Sequence, residues 1–525
     1  MSQTLIDALH DPALYSHPVT RVELIETHIS WVLLAGDYAY KIKKPVDFGF
    51  LDFSTLEKRE YYCREELRLN RRLAASIYLD VISIGGPAEA PGLGATGNII
   101  EYAVKMKRFD EALRLDHLLA RNELGSNHID SLADELATFH QSADVAGADN
   151  EFGGPDAVLQ PIQENFNQIR PLLDPRQREA ELRLLGRIEQ WCQQSFKQLR
   201  DTLADRKQQG FIRECHGDAH LANMVLIGDK VVLFDCLEFN PALRWIDVIS
   251  ELAFVVMDLD DRGHPELARR LLDRYLQRSG DYAALALLRF YQVYRACVRA
   301  KVAALRWQQT PEGEDQQSAW REFREYLSLA ESYTHSRQAV VVCCHGVSGS
   351  GKTTISQRLL ESLPLIRLRS DVERKRLFGL PLEARSDEAV GAAMYSKETN
   401  ARTFDQLASL TQAIVEAGFG VIVDATFLRQ AERQRFAELA RLLSAPFRIL
   451  EITATEAVMR ERIEQRNHVG ADASEADVPV LARQLEWREP LTPAERKFTL
   501  TVVNNDGVDL ADVGAELVDL IKGKD

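Results

Sequence analysis

Residues 340–354 read VVVCCHGVSGSGKTT: an apolar run, a glycine-rich turn and the start of a polar helix pattern. Glycines in such a turn let backbone N–H groups come close to an anion, and the following helix N-terminus adds partial positive charge. Gly346, Gly349 and Gly351 supply the turn, with Ser348 and Ser350 between them. Lys352 is placed to reach the β and γ phosphates, the Thr353 hydroxyl to coordinate magnesium, and Thr354 completes the nucleotide-contacting set. The segment is therefore read as a P-loop that takes ATP or another nucleoside triphosphate.

Working outward, the same alternation of strand and helix continues to the C-terminus. LIRLRSD (365–371), GVIVDATF (420–427), FRILEITAT (447–455) and KFTLTVVNN (497–505) each precede a helical pattern. Strands alternating with helices predict an α/β domain, a parallel sheet covered by helices on both faces. Its expected extent is 336–525, with the boundary in the polar stretch ESYTHSRQ, residues 331–338. Asp424 ends an apolar strand, where a carboxylate holds the shell of a magnesium ion; its bland alternative is a helix cap. Asp371 stands just outside the end of a second strand, where ligands bind in open parallel sheets, and could accept the proton of an attacking hydroxyl. Arg462 and Arg466 share one helix face ahead of the loop NHVGADASEAD, 467–477. They read either as exposed salt-bridge formers or as lid arginines that stabilise a transferring phosphoryl group.

This part resembles the P-loop kinases of the nucleoside-monophosphate-kinase type, and most nearly the group of gluconate kinases, zeta toxins and polynucleotide kinases. The match rests on GVSGSGKT and on RSDVERKR (369–376). The resemblance implies that Asp371 is the base, Arg374 a substrate or phosphate contact, and Arg462 and Arg466 the lid arginines.

Upstream the texture differs. Residues 20–110 hold the strand patterns VELIETHIS (22–30), WVLLAGDYAYKIKK (31–44, with a Gly36–Asp37 turn) and IIEYAVKMKRF (99–109), and one helix pattern at 54–74. Residues 111–335 are mostly helical in pattern. A small mixed lobe followed by a large helical one is expected, forming one domain over 1–335. Within the larger lobe, HGDAHLAN (216–223) is followed by VVLFD ending at Asp235. Phosphoryl transfer on a kinase-like scaffold needs a carboxylate facing the acceptor hydroxyl, an amide oxygen on magnesium and a second carboxylate bridging magnesium to phosphate. Asp218, Asn223 and Asp235 have those types, and the five-residue interval from Asp218 to Asn223 is that of a kinase catalytic loop.

The HGDxxxxN loop resembles that of the aminoglycoside phosphotransferase and choline kinase group, which implies an α+β, protein-kinase-like bilobal fold. By that resemblance Asp247 braces the catalytic loop, a strand lysine in AYKIKK (Lys41, or Lys43 on the same face) holds the α and β phosphates, and Glu66 or its neighbour Glu65 pairs with it. No GxGxxG precedes Lys41; the corresponding turn reads ETHISW. His216 reads as a residue that orients the loop, and His140 and His220 as structural.

The 525 residues exceed one compact core. A formal net charge of −15 disfavours loose attachment to nucleic acid or anionic membrane. Seven scattered cysteines, never spaced CxxC, fit a reducing cytoplasm better than a disulfide framework. No secretory leader or membrane-spanning run is read, so a cytoplasmic location is expected. The combined expectation is an ATP- and magnesium-dependent phosphotransferase with two centres. Its acceptor would be a small-molecule hydroxyl such as that of a sugar or nucleoside, or a nucleic-acid end. The competing expectations are an inactive, ligand-binding N-terminal module that regulates the P-loop half, and a P-loop ATPase.

Overall fold

The computed structural model describes residues 3–49, 51–147, 149–335, 338–382, 384, 393–394, 396–469, 476–505 and 510–521. They form two compact units, Met1–Leu259 with Tyr294–Leu327, and Asp260–Val293 with Ser328–Asp525. Residues 260–293 thus pack with the P-loop unit, whereas the sequence reading places them in a domain ending at 335.

The first unit opens with a six-stranded antiparallel sheet in the order β1-β2-β3-β6-β4-β5. The strands are β1 Val22–Glu26, β2 Ser30–Ala35, β3 Tyr38–Lys43, β4 Tyr78–Gly85, β5 Gly92–Leu93 and β6 Ile99–Lys107. Side chains alternate between faces along a strand. Tyr40 and Ile42 of β3 therefore join Leu33, Ile84 and Ala103 on one face, capped by Leu5, Ile6 and Leu9 of the first ten residues. Those residues precede the small lobe as read from sequence, and β4 with β5 is absent from that reading. The opposite face carries Val104, packed with Cys63 of the helix Leu56–Ala74 and with Tyr78. Lys41 and Lys43 share that face, pointing at the helix.

Beyond the sheet the unit is helical, with two small antiparallel pairs inserted: β7 (Ile212–Glu214) with β10 (Trp245–Asp247), and β8 (Met224–Ile227) with β9 (Lys230–Leu233). The segment 216–223 lies between β7 and β8.

The second unit carries a five-stranded parallel sheet in the order β12-β13-β11-β14-β15. Its strands are β11 Val341–His345, β12 Leu365–Arg369, β13 Gly420–Asp424, β14 Phe447–Thr453 and β15 Thr499–Val503. Every residue of β11 and β13 is buried, the signature of a sheet covered on both faces, which is why these strands read as apolar runs without alternation. Val340, Val342, Cys344, Ile422, Leu450 and Ile452 build the core with Ile355 and Leu359 of the helix Lys352–Ser362. The helix Pro265–Ser279 also packs on Lys352–Ser362 and on β12.

Candidate functional site

In the first unit, a Cβ on Gly217 would meet the Leu243 carbonyl oxygen at 2.9 Å, and its φ is +87°, so the turn into Asp218 needs glycine on both counts. Glu251 of the helix Val248–Asp261 holds this turn. Its carboxylate accepts from the His216 N–H at 3.1 Å and the Gly217 N–H at 2.7 Å, and meets His140 Nε2 at 3.0 Å. Arg295 donates to the Gly217 carbonyl at 3.2 Å, and Asp258 accepts from the Leu221 N–H at 2.8 Å. The expected brace, Asp247, is instead paired with Arg206 at 2.6 Å. Glu251 lies four residues farther along the chain, in the first turn of the helix Val248–Asp261.

Asn223 donates its amide nitrogen to the Asp218 carboxylate and to its carbonyl, both at 3.0 Å, which leaves the amide oxygen for a cation. His220 Nε2 lies 3.4 Å from the Asp218 carboxylate, and His216 Nε2 meets the Phe234 carbonyl at 2.9 Å. Burial alone would raise the Asp218 carboxyl, but His220, His216 and Arg299 hold it well below the usual carboxylate range. It stays ionised and accepts only a hydrogen bond until a proton is released to it.

Asp235 sits two residues past β9 with φ +63°, a left-handed conformation uncommon outside glycine. Two contacts hold it there: its N–H donates to Tyr78 Oη at 3.2 Å, and the next N–H donates to Asn70 Oδ1 at 2.8 Å. Lys41 Nζ bridges Asp235 at 2.5 Å and Glu66 at 2.8 Å. Lys43 pairs with the other oxygen of Glu66 at 2.7 Å and with Glu238. Both strand lysines therefore meet Glu66, and only Lys41 also reaches Asp235. Glu65 is turned away, to Arg68 and Arg244. Burial disfavours charge on Lys41, yet Asp235 and Glu66 raise it well above an ordinary lysine. Glu238, Glu251 and Arg295 are absent from the sequence reading, since each acts across a long chain separation that no local pattern marks.

In the second unit, Gly349 and Gly351 have φ of +80° and +95°. A Cβ on Gly346 would strike the Ile452 carbonyl oxygen at 2.4 Å, and one on Gly349 the Met459 carbonyl oxygen at 2.5 Å. The turn is therefore pressed against neighbouring backbone, as a phosphate cradle requires. Lys352 Nζ donates to the Val347 carbonyl at 2.9 Å, and burial pulls its pKa down. Ser348 N–H donates to Gln484 Oε1 at 2.7 Å. Thr353 is half-buried and Thr354 exposed.

Asp424 stands at the carboxyl end of β13, next to β11, and is 5% exposed. Its Oδ2 has no hydrogen-bond partner among the described residues, and Arg369 Nε lies 3.9 Å away. The buried Ser350 Oγ is also without such a partner. An orphaned carboxylate oxygen beside a phosphate cradle suits a divalent cation. Asp371 lies in the first turn of the helix Ser370–Leu377 and pairs with Arg374 at 2.6 Å. Arg462 donates to the Asn504 and Asn505 carbonyls at 3.0 and 3.3 Å, and Asn504 Nδ2 donates to the Ser350 carbonyl at 2.9 Å. Among the described residues neither arginine of the pair makes the exposed salt bridge of the bland reading: Arg462 braces the P-loop through Asn504, while Arg466 donates to the Ala476 carbonyl and its buried Nε has no partner there. Residues 470–475 of the expected lid loop lie outside the described residues.

One pH consequence follows from the first site. Burial would raise Glu251, but His140, His216 and the Gly217 N–H pull it down to about 2 from 4.5. A depressed carboxyl contributes stability that is complete above its unfolded value and is lost as pH falls through the folded one. The melting temperature is therefore expected to drop between pH 4.5 and about 2, and Glu251→Gln to remove part of that acid limb. The substitution should cost on the order of 3 kcal/mol at neutral pH, because it leaves the bound groups mismatched. An unchanged acid limb in thermal melts of the variant would refute the assignment.

The comparisons with known proteins also find two parts, but the first runs past Leu259 into residues that pack with the P-loop unit. A model of the phosphotransferase enzyme family matches residues 63–291, and a model of the AAA domain matches residues 340–491. Among solved structures, a choline/ethanolamine kinase family protein from Mesorhizobium loti is 12% identical, covering 63% of this chain and 96% of its own, with a TM-score of 0.38. A gluconokinase from Sinorhizobium meliloti is 18% identical, covering 36% of this chain and 93% of its own, with a TM-score of 0.25. Over the whole length, uncharacterized proteins of Mycobacterium tuberculosis and Mycobacterium bovis are 30% identical across 482 residues, 91% of this chain and 94% of theirs. The protein belongs to the same family as these mycobacterial proteins, and joins a phosphotransferase-family segment to a P-loop segment.

Proposed function

We propose that the protein is an ATP- and magnesium-dependent phosphotransferase with two centres, each moving the γ-phosphoryl group to a hydroxyl. The observation that supports this reading best is the bridge from Glu66 through Lys41 to Asp235, in the same unit as the Asp218–Asn223 pair. Such a lysine, pinned by a helix glutamate beside a metal-binding carboxylate, is the phosphate clamp of kinase chemistry. Asn223 and Asp235 would hold magnesium in the first centre, and Thr353 and Asp424 in the second; when bound, the ion neutralises charge on the phosphates. Asp218 orients the acceptor hydroxyl and takes its proton late, as befits a carboxylate held ionised. Asp371 does the same in the second centre, positioned by Arg374. Lys352 and the P-loop amides steady the phosphates, and Arg466 adds positive charge beside them.

The acceptor we favour is a small molecule with a free hydroxyl, such as a sugar or nucleoside, and a nucleic-acid end is the alternative. Among the described residues no helix is long and apolar enough to cross a membrane, and all seven cysteines are free and buried, which suits a reducing cytoplasm. Incubation with γ-labelled ATP, magnesium and a panel of sugars, nucleosides and oligonucleotide ends should transfer label to at least one class. Failure with every class would end the proposal.

A second reading has one observation in its favour: the β1–β2 turn, Thr27–Ile29, has no glycine with which to cover phosphates. The first unit would then be a ligand-binding module that regulates the P-loop unit. Unchanged phosphotransfer to every acceptor in Asp218→Asn would favour that reading.

A further inference from the structure

The helix Pro265–Ser279 lies wholly within the stretch matched by the phosphotransferase family, yet its buried polar side chains belong to the P-loop unit. Asp273 is 4% exposed and Arg367 of β12 is 3% exposed. Arg367 donates to the Asp273 carboxylate at 2.7 and 3.4 Å. Another arm of the same guanidinium donates to the Thr353 carbonyl at 3.1 Å, in the first turn after the P-loop. One helical turn on from Asp273, Gln277 donates to the Asp273 carboxylate at 2.6 Å. Gln277 also receives two other arginines. Arg369 approaches its amide oxygen at 3.5 Å while standing 3.9 Å from Asp424, and Arg376 donates to its backbone carbonyl at 2.6 Å. Gly280, just past the helix, has φ +74°, and a Cβ there would meet Arg376 Nε at 2.7 Å.

A buried ion pair is by itself weak evidence of anything but packing. Here, however, the arginines' other contacts converge on the phosphotransfer elements: Arg367 on Thr353, Arg369 on Asp424, and Arg376 within the helix that carries Asp371. We propose that the helix Pro265–Ser279 is a positioning element of the P-loop centre, in which Asp273 and Gln277 set Arg367, Arg369 and Arg376 and through them fix the magnesium-binding residues. The inference rests on the reading of the P-loop as a nucleotide site. It makes Asp273, Gln277 and Arg367 positioning residues, acting through Thr353 and Asp424 without touching nucleotide.

The test uses the full chain carrying Lys41→Met, so that binding of a fluorescent N-methylanthraniloyl ATP reports the P-loop alone while magnesium is titrated. Asp273→Asn should raise the half-saturating magnesium concentration about tenfold, the usual effect of removing an outer partner of a metal site. Arg367→Lys keeps the charge pair with Asp273 but has no second arm for Thr353, so it should shift the magnesium dependence similarly; a merely structural pair would be rescued by it. Gln277→Met, the mildest change, should give a smaller shift in the same direction, and it decides together with Arg367→Lys if Asp273→Asn fails to fold. Folded variants that bind nucleotide and magnesium as the parent does would overturn the proposal. Lys352→Ala in the same background separates the two layers: if it binds nucleotide undiminished, the P-loop reading itself is wrong.

Discussion

Asp218→Asn is expected to lower transfer by the first centre about 10^3-fold in kcat, with little change in the KM for nucleotide. The asparagine keeps the shape and can still accept a hydrogen bond from Asn223, so the loop braced by Glu251 and Arg295 should remain folded. What it loses is the place for the hydroxyl proton and the negative charge that orients it. The matching measurement is initial-rate kinetics on whichever acceptor the labelling panel identifies, together with a thermal melt. A loss confined to KM would show that the carboxylate binds substrate without taking part in transfer. Because the two proposed centres lie in separate units, transfer to any acceptor served by the P-loop should persist in this variant.

Lys352→Ala should have the complementary effect, reducing transfer by the P-loop centre about 10^2- to 10^3-fold and weakening its nucleotide binding. The residue is buried, and its pKa is pulled down by that burial, so the side chain is costly to keep unless phosphate repays it. Removing the ammonium relieves that cost, and the melting temperature of the nucleotide-free protein is therefore expected to hold or rise while activity collapses. A variant that loses both stability and activity in parallel would point to a structural lysine. Combining it with Asp218→Asn should lower transfer to every acceptor by about 10^2- to 10^3-fold, and transfer to any acceptor at the parent's rate in the double variant would require a third centre.

Much of this arrangement was legible because it is local. The apolar run before Gly346, the spacing of HGDAHLAN and the strand-end positions of Asp371 and Asp424 are all short-range signals, and each marks an element that the fold places at a strand or helix terminus. The choice between Lys41 and Lys43 was not legible, since both lie on the same strand face. Only Asp235, brought in from nearly two hundred residues away, distinguishes them. Glu251 was hidden for a related reason: nothing in SELA says that a buried glutamate will accept two loop amides. Arg462 was legible as a helix residue, but its partner Asn504, directly after β15, was not. The helix Pro265–Ser279 carries ordinary amphipathic signals, and sequence pattern has no means of saying which core an amphipathic helix will join.

That last point bears on how the gene can be cut. A P-loop segment expressed from residue 336 onward would match its family model in full and still lack the helix that fills one flank of Lys352–Ser362 and neutralises Arg367. Modules recognised by sequence are here not the units that pack together, and any recombination joint near residue 336 would separate the P-loop sheet from a helix of its own interior.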